Sequence, residues 1–227
     1  MYRFPEQTAV NKVLAKTKIF EKARPSKAVR LLFTQDVVQI VWKHKLSPET
    51  LNLSSECGIQ EIQVFEITLK RLDISLRVLQ TIDRAIPYPV FYQLRRDDAV
   101  QVVAAYKRPA QDGTPKWVLG EYYRTEWMRD GASERRLPVS LDLRGLYEQM
   151  MHTLIALPPQ NGESLVDLVE REAKVRQLRN QITRLNSKMR AEKQFNRKVN
   201  HHSDIRRLEA ELSTLLMAEG EKLTSQS

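Results

Sequence analysis

A heptad-like apolar pattern near the C-terminus constrains the fold of this chain most strongly, because helices that pack side by side bury such a seam. The seam consists of apolar residues at steps of three, four or seven: Leu168, Val175, Leu178, Ile182, Leu185 and Met189. It stops over the polar residues 191–203 and restarts out of register at Ile205, Leu208, Leu212 and Leu215. We therefore expect a coiled-coil hairpin of two antiparallel helices; one continuous helix with a register shift is the alternative.

The net charge of the chain lies in the same region. Residues 171–207 contain 12 basic residues and three acids, whereas the whole chain has 37 Lys and Arg against 28 Asp and Glu. The remainder therefore balances at 25 against 25, so that a near-neutral body carries a basic helical arm. Such a distribution is typical of contact with a polyanion or with a partner protein.

The tip of the predicted hairpin is the candidate binding surface. It combines five cations with one aromatic residue: Lys188, Arg190, Lys193, Phe195, Arg197 and Lys198. Contacts between these cations and phosphates would give salt-dependent, sequence-independent affinity for DNA or RNA. An acidic protein surface is the alternative partner, and a homodimer formed through the arm is a third interpretation.

The rest of the sequence predicts an α+β fold with a mixed, mostly antiparallel sheet flanked by helices. We expect strands over residues 59–70, 90–94, 100–106 and 117–123, the second and third joined as a hairpin. Helices are expected over residues 6–14, from Ser26 to residue 46, and over 74–86 and 141–157. Residues 37–46 would serve equally as a strand, and residues 128–136 are expected to form a polar loop.

These patterns divide the chain into four segments. The α+β body spans residues 1–157, and a linker over residues 158–163 contains two prolines and a glycine that break regular structure. The basic helical arm spans residues 164–218, and residues 219–227 form a polar tail.

Charged residues on the predicted strand 59–70 are a weak candidate for catalysis. Glu66, Thr68 and Lys70 would share one face of this strand. Restriction-type nucleases hold a metal ion with an acid from one strand and an acid-x-Lys triplet from the next. Here Thr68 occupies the position of the acid, and its hydroxyl cannot replace a carboxylate as a Mg²⁺ ligand of comparable strength.

Structural ion pairs are therefore the preferred interpretation of these residues. We expect Glu66 and Lys70 to pair with neighbours such as Arg84 or Lys107, and Asp83 to pair with Arg84 on a helix face. A metal-dependent nuclease with a degenerate site at Glu66 and Lys70, with Glu61 or Asp83 as a further ligand, is the alternative. The four histidines have no His or Cys partner at metal-ligand spacing, so we expect neither a metal site nor a cofactor.

The sequence predicts a cytoplasmic protein that does not enter a membrane. Residues 1–12 lack the apolar run of a signal peptide, and no apolar run approaches the roughly 20 residues that span a bilayer. The single cysteine, Cys57, excludes an intrachain disulfide.

Seven stretches carry a resemblance to a known family. They are FPEQTAVNKV (residues 4–13), KLSPETLNL (45–53), EIQVFEITLK (61–70), TIDRAIPYPVFYQL (81–94), AAYKRP (104–109), LYEQ (146–149) and EKQFNRKV (192–199). In this order they resemble a bacterial and archaeal family of unknown function, number 4391. The resemblance implies no catalytic residues and no cofactor. It implies a genetic context beside DNA methyltransferases and helicase-type ATPases of restriction or phage-defence loci.

Together, the charge pattern and this context predict a non-enzymatic accessory subunit of a defence or DNA-processing complex. Its body would contact a helicase or methyltransferase, and its arm would contact DNA, RNA or a partner protein.

Overall fold

The computed structural model describes residues 2–55, 58–110, 117–131 and 134–217. These residues form two compact units that divide between Leu154 and Ile155. The single cysteine, Cys57, and the predicted tail, residues 219–227, lie outside the described residues.

The first unit has the α+β composition that the sequence predicts. Its strands are β1 (Tyr2–Arg3), β2 (Ala9–Val13), β3 (Val37–Leu46), β4 (Ile62–Leu69), β5 (Val90–Arg96), β6 (Ala99–Pro109), β7 (Trp117–Arg124), β8 (Met128–Arg129) and β9 (Arg135–Arg136). Its helices are α1 (Lys16–Ala23), α2 (Lys27–Asp36), α3 (Pro48–Leu51), α4 (Leu76–Ala85) and α5 (Leu143–His152).

The main sheet is mixed and mostly antiparallel, as predicted. Its strands follow the order β2-β3-β4-β5-β6-β7, and β8 pairs with β6 beside β7. Only β4 and β5 run parallel within this sheet, because α4 connects them as a crossover. The predicted hairpin between β5 and β6 is confirmed, and its turn places Asp97 in the left-handed region with φ of 51°.

Helices cover both faces of this sheet. Phe65 and Ile67 of β4 pack in one core with Phe33 of α2 and Val78 of α4. On the opposite face the ring of Tyr147, on α5, lies 6.2 Å from that of Phe91. The central strands are therefore buried on both sides.

One predicted helix near the N-terminus is wrong, and a second one is predicted too long. Residues 6–14 form a short 3-10 turn, Glu6–Thr8, followed by β2, and the predicted extension of the second helix to residue 46 is instead β3. The strand alternative for residues 37–46 is confirmed. Both segments pair with a neighbouring strand, and this pairing outweighs the local helical spacing.

The other predicted helices and strands of this unit are confirmed with changed bounds: β4, α4 and α5 are shorter than predicted, and β5, β6 and β7 are longer. Ser26 caps α2 by accepting a hydrogen bond from the backbone N–H of Val29, and α4 ends before Pro87, as expected. The helix predicted over residues 141–157 is α5 and is shorter, while residues 128–136 contain β8 and β9 rather than loop alone.

The second unit contains the predicted hairpin, with helices α6 (Leu165–Ala191) and α7 (Phe195–Leu216). Ser164 caps α6 by accepting a hydrogen bond from the backbone N–H of Asp167. The helices are antiparallel, since Lys174 Nζ lies 3.0 Å from Glu211 Oε1 at one end while Glu192 and Arg197 meet at the other. The break between the helices is only three residues long, 192–194, so most of the polar stretch 191–203 that interrupts the seam is helical.

The seam residues lie where the heptad pattern places them. Leu168, Val175, Leu178 and Ile205 are buried, and the remaining seam positions are partly buried. At 1.5 Å per residue, the 27 residues of α6 extend for about 40 Å. The hairpin is therefore a long rod whose far end is a tight turn.

Candidate functional site

Asp83 is part of a buried ion pair inside the first unit. It pairs with Lys107 of β6 at 2.9 Å, not with Arg84 as predicted, and the two side chains are 1% and 2% exposed. Tyr122 donates its hydroxyl to the same carboxylate, and Lys107 also donates to the carbonyl of Tyr88 at 2.7 Å. The cluster ties the end of α4 to the sheet.

Burial dominates the protonation chemistry of this cluster. Desolvation raises the pKa of Asp83, although the Lys107 ammonium and the Tyr122 hydroxyl oppose the shift. Desolvation likewise lowers the pKa of Lys107 and raises that of Tyr122. Since the two charged groups are almost completely covered, they stabilise the fold and are not accessible to a substrate.

Glu66 lies on the other face of the sheet from Asp83. Its neighbour Phe65 packs in the core beneath α4, and side chains alternate along a strand. The carboxylate of Glu66 accepts a hydrogen bond from Arg95, which also donates to Asp130. Glu66 therefore forms an ion pair, but with neither of the partners predicted for it.

Lys70 stabilises a helix end. Its ammonium donates to the carbonyl of Thr34 at 2.8 Å, and Lys16 donates to the carbonyls of Phe33 and Val37 at 3.0 and 2.7 Å. Both cations thus satisfy carbonyls at the C-terminal end of α2, a favourable position for positive charge. Lys70 does not form the predicted pair with an acid.

The nuclease constellation is therefore not assembled by these three residues. Asp83 and Glu66 lie on opposite faces, and Lys70 is engaged at α2. Across the described ranges, no three His, Cys, Asp or Glu side chains are grouped so that they could hold a metal ion.

Four of the five cations outside residues 179–203 of the hairpin are paired with acids: Arg171, Lys174, Arg176 and Arg207. Arg171 Nε lies 2.6 Å from Glu163 Oε1, and both side chains are more than nine-tenths buried. Arg171 also donates to the carbonyls of Pro158 and Leu215, at 2.7 and 3.1 Å. The predicted linker residues 158 and 163 are thus attached to the two helices of the hairpin by one guanidinium.

Most cations in the distal half of the hairpin, residues 179–203, are exposed and have no acidic partner. Within the part of the chain that the structure describes, the following have no acidic partner: Arg179, Arg184, Lys188, Arg190, Lys193 and Lys198. Arg197 is only loosely paired, with its guanidinium 3.8 Å from Glu192. All five basic residues of the predicted tip lie in this distal half of the hairpin.

The charge of the hairpin is consequently divided along its length. Residues 179–203 hold seven basic residues and one acid, a net of +6. Residues 163–178 and 204–217 together hold five basic residues and seven acids, a net of −2. The positive charge found in the sequence over residues 171–207 is thus concentrated at one end of the rod.

The single acid of the distal half shapes its turn. Glu192 Oε1 accepts hydrogen bonds from the backbone N–H groups of Lys193 and Gln194, at 2.9 and 3.0 Å. These bonds, with the positive charges of Arg197 and His201, lower the pKa of Glu192. The carboxylate therefore fixes the path of the chain from α6 to α7.

Apolar groups are exposed beside these cations. Phe195 is 77% exposed and Val199 is 50% exposed. A shallow cavity of about 370 Å³ lies between the two helices, and five residues line it: Met189, Arg190, Lys198, Val199 and His202. Sequence reasoning identified Phe195 but missed Val199 and His202, although their spacing from Phe195, four and seven residues, already places them on one helix face.

The first unit carries a second concave surface that the sequence did not reveal. This cleft of about 320 Å³ is mostly apolar, with walls that include Ile19, Trp42, Phe65 and Tyr88. Its lining residues come from α1, β3, β4 and the end of α4, which are far apart in sequence.

These features define an α+β protein that carries a helical hairpin with a cationic end. The chain belongs to the family described as a domain of unknown function (DUF4391), whose sequence model matches residues 3–212. The family resemblance seen in the sequence is thereby confirmed. No curated protein and no solved structure matches the chain. Among the residues described, none of the helices combines the length and apolarity that crossing a membrane requires.

Proposed function

We propose that this protein is a non-enzymatic accessory subunit that binds nucleic acid through the distal half of its hairpin. The observation that carries the proposal is the group of six exposed cations without acidic partners. Residues 179–191 of α6 extend for about 18 Å, which matches about five phosphates along one strand at 3.4 Å each. Several phosphates could therefore be neutralised at once.

Helix stability does not account for this charge. Like charges four residues apart on a helix are destabilising, as for Arg184 and Lys188 of α6. The base of the same hairpin shows the usual arrangement, with Lys174 next to Glu211. A cationic end that weakens its own helix is best explained by a polyanionic partner.

The remaining parts of the proposal concern the cellular context. The genetic neighbourhood implied by the family resemblance supports a cytoplasmic bacterial or archaeal complex that serves restriction or phage defence. In such a complex the first unit would dock on a helicase-type ATPase or a DNA methyltransferase. Phosphate contacts by the hairpin would then add affinity for the DNA or RNA on which the partner acts.

Two matched triple variants test the proposal. The distal variant changes Lys188, Arg190 and Lys193 to Gln, and the basal control changes Lys174, Arg176 and Arg207 to Gln, so that each loses three positive charges. Affinity for a fluorescent oligonucleotide is measured by anisotropy at several salt concentrations. Since each lost phosphate contact lowers the slope of log K against log salt by about 0.7 to 0.9, we expect the distal variant to lose about two to three units.

The basal control should keep nearly the wild-type slope, because its cations are paired with acids. Equal slopes for the wild type and the distal variant would contradict the proposal. A similar loss of slope in both variants would show that the net charge of the whole chain matters rather than the distal surface.

A further inference from the structure

We infer that the hairpin end binds single-stranded nucleic acid, with an unpaired base stacked on Phe195. This inference rests on the proposed function and names its substrate. It is carried by a different observation, the exposure of apolar groups among the distal cations. We define the apex surface as Met189, Arg190, Phe195, Lys198, Val199 and His202.

The apex surface combines one exposed aromatic ring with two cations, Arg190 and Lys198. Phe195 is the first residue of α7, so Val199 follows one turn later and His202 two turns later on the same face. Lys198, three residues after Phe195, lines the cavity between the two helices, and Arg190 of α6 lines the same cavity. A nucleotide whose base lies on the Phe195 ring would have an ammonium or a guanidinium close to its phosphate.

Phe195 has no evident structural role. The apolar residues of the hairpin seam are buried or partly buried between the two helices, whereas the Phe195 side chain lies outside the seam and is 77% exposed. Its ring has no aromatic or cationic contact among the residues that the structure describes. Leaving a Phe side chain in water forgoes the free energy of burial, so a contact that covers the ring would be favourable.

Stacking of this kind selects unpaired bases. Within a duplex, each base is covered on both sides by its neighbours, and an aromatic side chain cannot reach its face. In a single strand, every base offers a free face, and base-aromatic stacking is tolerant of sequence. The combination of an exposed ring and a cationic border is therefore better matched to a single strand than to a helix of paired bases.

The nucleic-acid competitors in this test have no ends, because the terminal base pair of a linear duplex also has an exposed face. The full-length protein is bound to a fluorescent dT12 oligonucleotide and competed with circular single-stranded DNA, covalently closed duplex DNA or polyaspartate. We expect the single-stranded circle to compete at least about tenfold better than the duplex, per nucleotide. Polyaspartate should compete weakly, since it has charge without bases.

Substitutions of Phe195 isolate the stacking contact. Phe195→Ala should weaken dT12 binding about five- to hundredfold while leaving duplex affinity and the salt slope unchanged. Phe195→Leu keeps an apolar side chain but should lose most of the same affinity, and Phe195→Trp should retain it. Circular dichroism verifies that each variant keeps its helices.

The outcomes separate this inference from the proposed function. Equal competition by single strand and duplex, or no effect of Phe195→Ala, would overturn the stacking inference and leave phosphate binding in place. Equal losses for dT12 and duplex in Phe195→Ala would also overturn it. An absence of any nucleic-acid binding, or stronger competition by polyaspartate than by the single strand, would overturn both.

Discussion

Replacing Lys107 by Met should destabilise the first unit strongly. Met has a similar length and fills the same space, so the cost arises from charge rather than from a cavity. Removing one partner of a buried ion pair leaves an uncompensated charge on Asp83 and typically costs about 3 to 5 kcal/mol. The carbonyls of Ile86 and Tyr88 also lose a donor that lies 3.1 and 2.7 Å away.

Tryptophan fluorescence measures this unit selectively, because the three tryptophans of the chain, Trp42, Trp117 and Trp127, all lie in it. A loss of about 4 kcal/mol, divided by a urea m-value of about 2 kcal/mol/M, lowers the midpoint of unfolding by about 2 M. The control is Arg124→Met, which breaks an exposed pair with Asp73 at 3.5 Å. This control should cost less than about 1 kcal/mol.

A second substitution and a pH series test whether the unpaired charge of Asp83 causes the loss of stability. In Lys107→Met the pKa of Asp83 is raised by burial without an ammonium to oppose it, so the folded state binds the proton more tightly than the unfolded state. The variant should therefore gain stability relative to wild type as the pH falls from neutrality toward the ordinary pKa of an aspartate, about 4. Adding Asp83→Asn should recover part of the loss and remove this pH dependence. A cost as small as that of Arg124→Met, or a double variant less stable than the single one, would refute the reasoning.

Three further predictions concern other parts of the chain. Burial and the charge of Lys43 lower the pKa of His44 from 6.5 to about 4, so the stability of the first unit should fall as the pH drops from about 6.5 to about 4. His44→Gln should reduce this loss of stability, measured in thermal melts followed by tryptophan fluorescence. Residues 1–157 alone should unfold cooperatively in calorimetry; an insoluble or molten product would contradict their independence. Arg171→Met should destabilise the hairpin by about 3 kcal/mol or more, detected as loss of helical circular dichroism at a lower temperature, because it leaves Glu163 buried without its partner; melting like that of the exposed-site variant Arg184→Met would contradict this.

Much of the fold follows from local patterns in the sequence. The hairpin was predictable because its seam repeats at heptad spacing and its cap, Ser164, directly precedes it. The helix α4 and the turn between β5 and β6 were predictable from periodicity and from polar residues at the turn. In contrast, residues 9–13 and 37–46 form strands through pairing with each other and with β4, and such pairing is not encoded in either segment alone.

The candidate site, like the fold, could be predicted only in part from the sequence. The five basic residues and Phe195 could be found because they cluster where the apolar seam is interrupted by polar residues. The division between paired and unpaired cations could not be predicted, since the pairs join residues as distant as Lys174 and Glu211. Similarly, the partner of Glu66 depends on sheet register, which brings in Arg95 of β5, and the partner of Asp83 depends on the packing of α4 on the sheet, which brings in Lys107 of β6.

The uneven charge of the hairpin also makes it an electric dipole. With a net of +6 over residues 179–203 and −2 over the remainder, its moment lies along a rod about 40 Å long. In the field of a polyanion such a rod experiences a torque that turns its cationic end forward before contact. Productive orientation would then precede collision, and the encounter rate would fall steeply once the Debye length, about 10 Å at 0.1 M salt, becomes short compared with the rod.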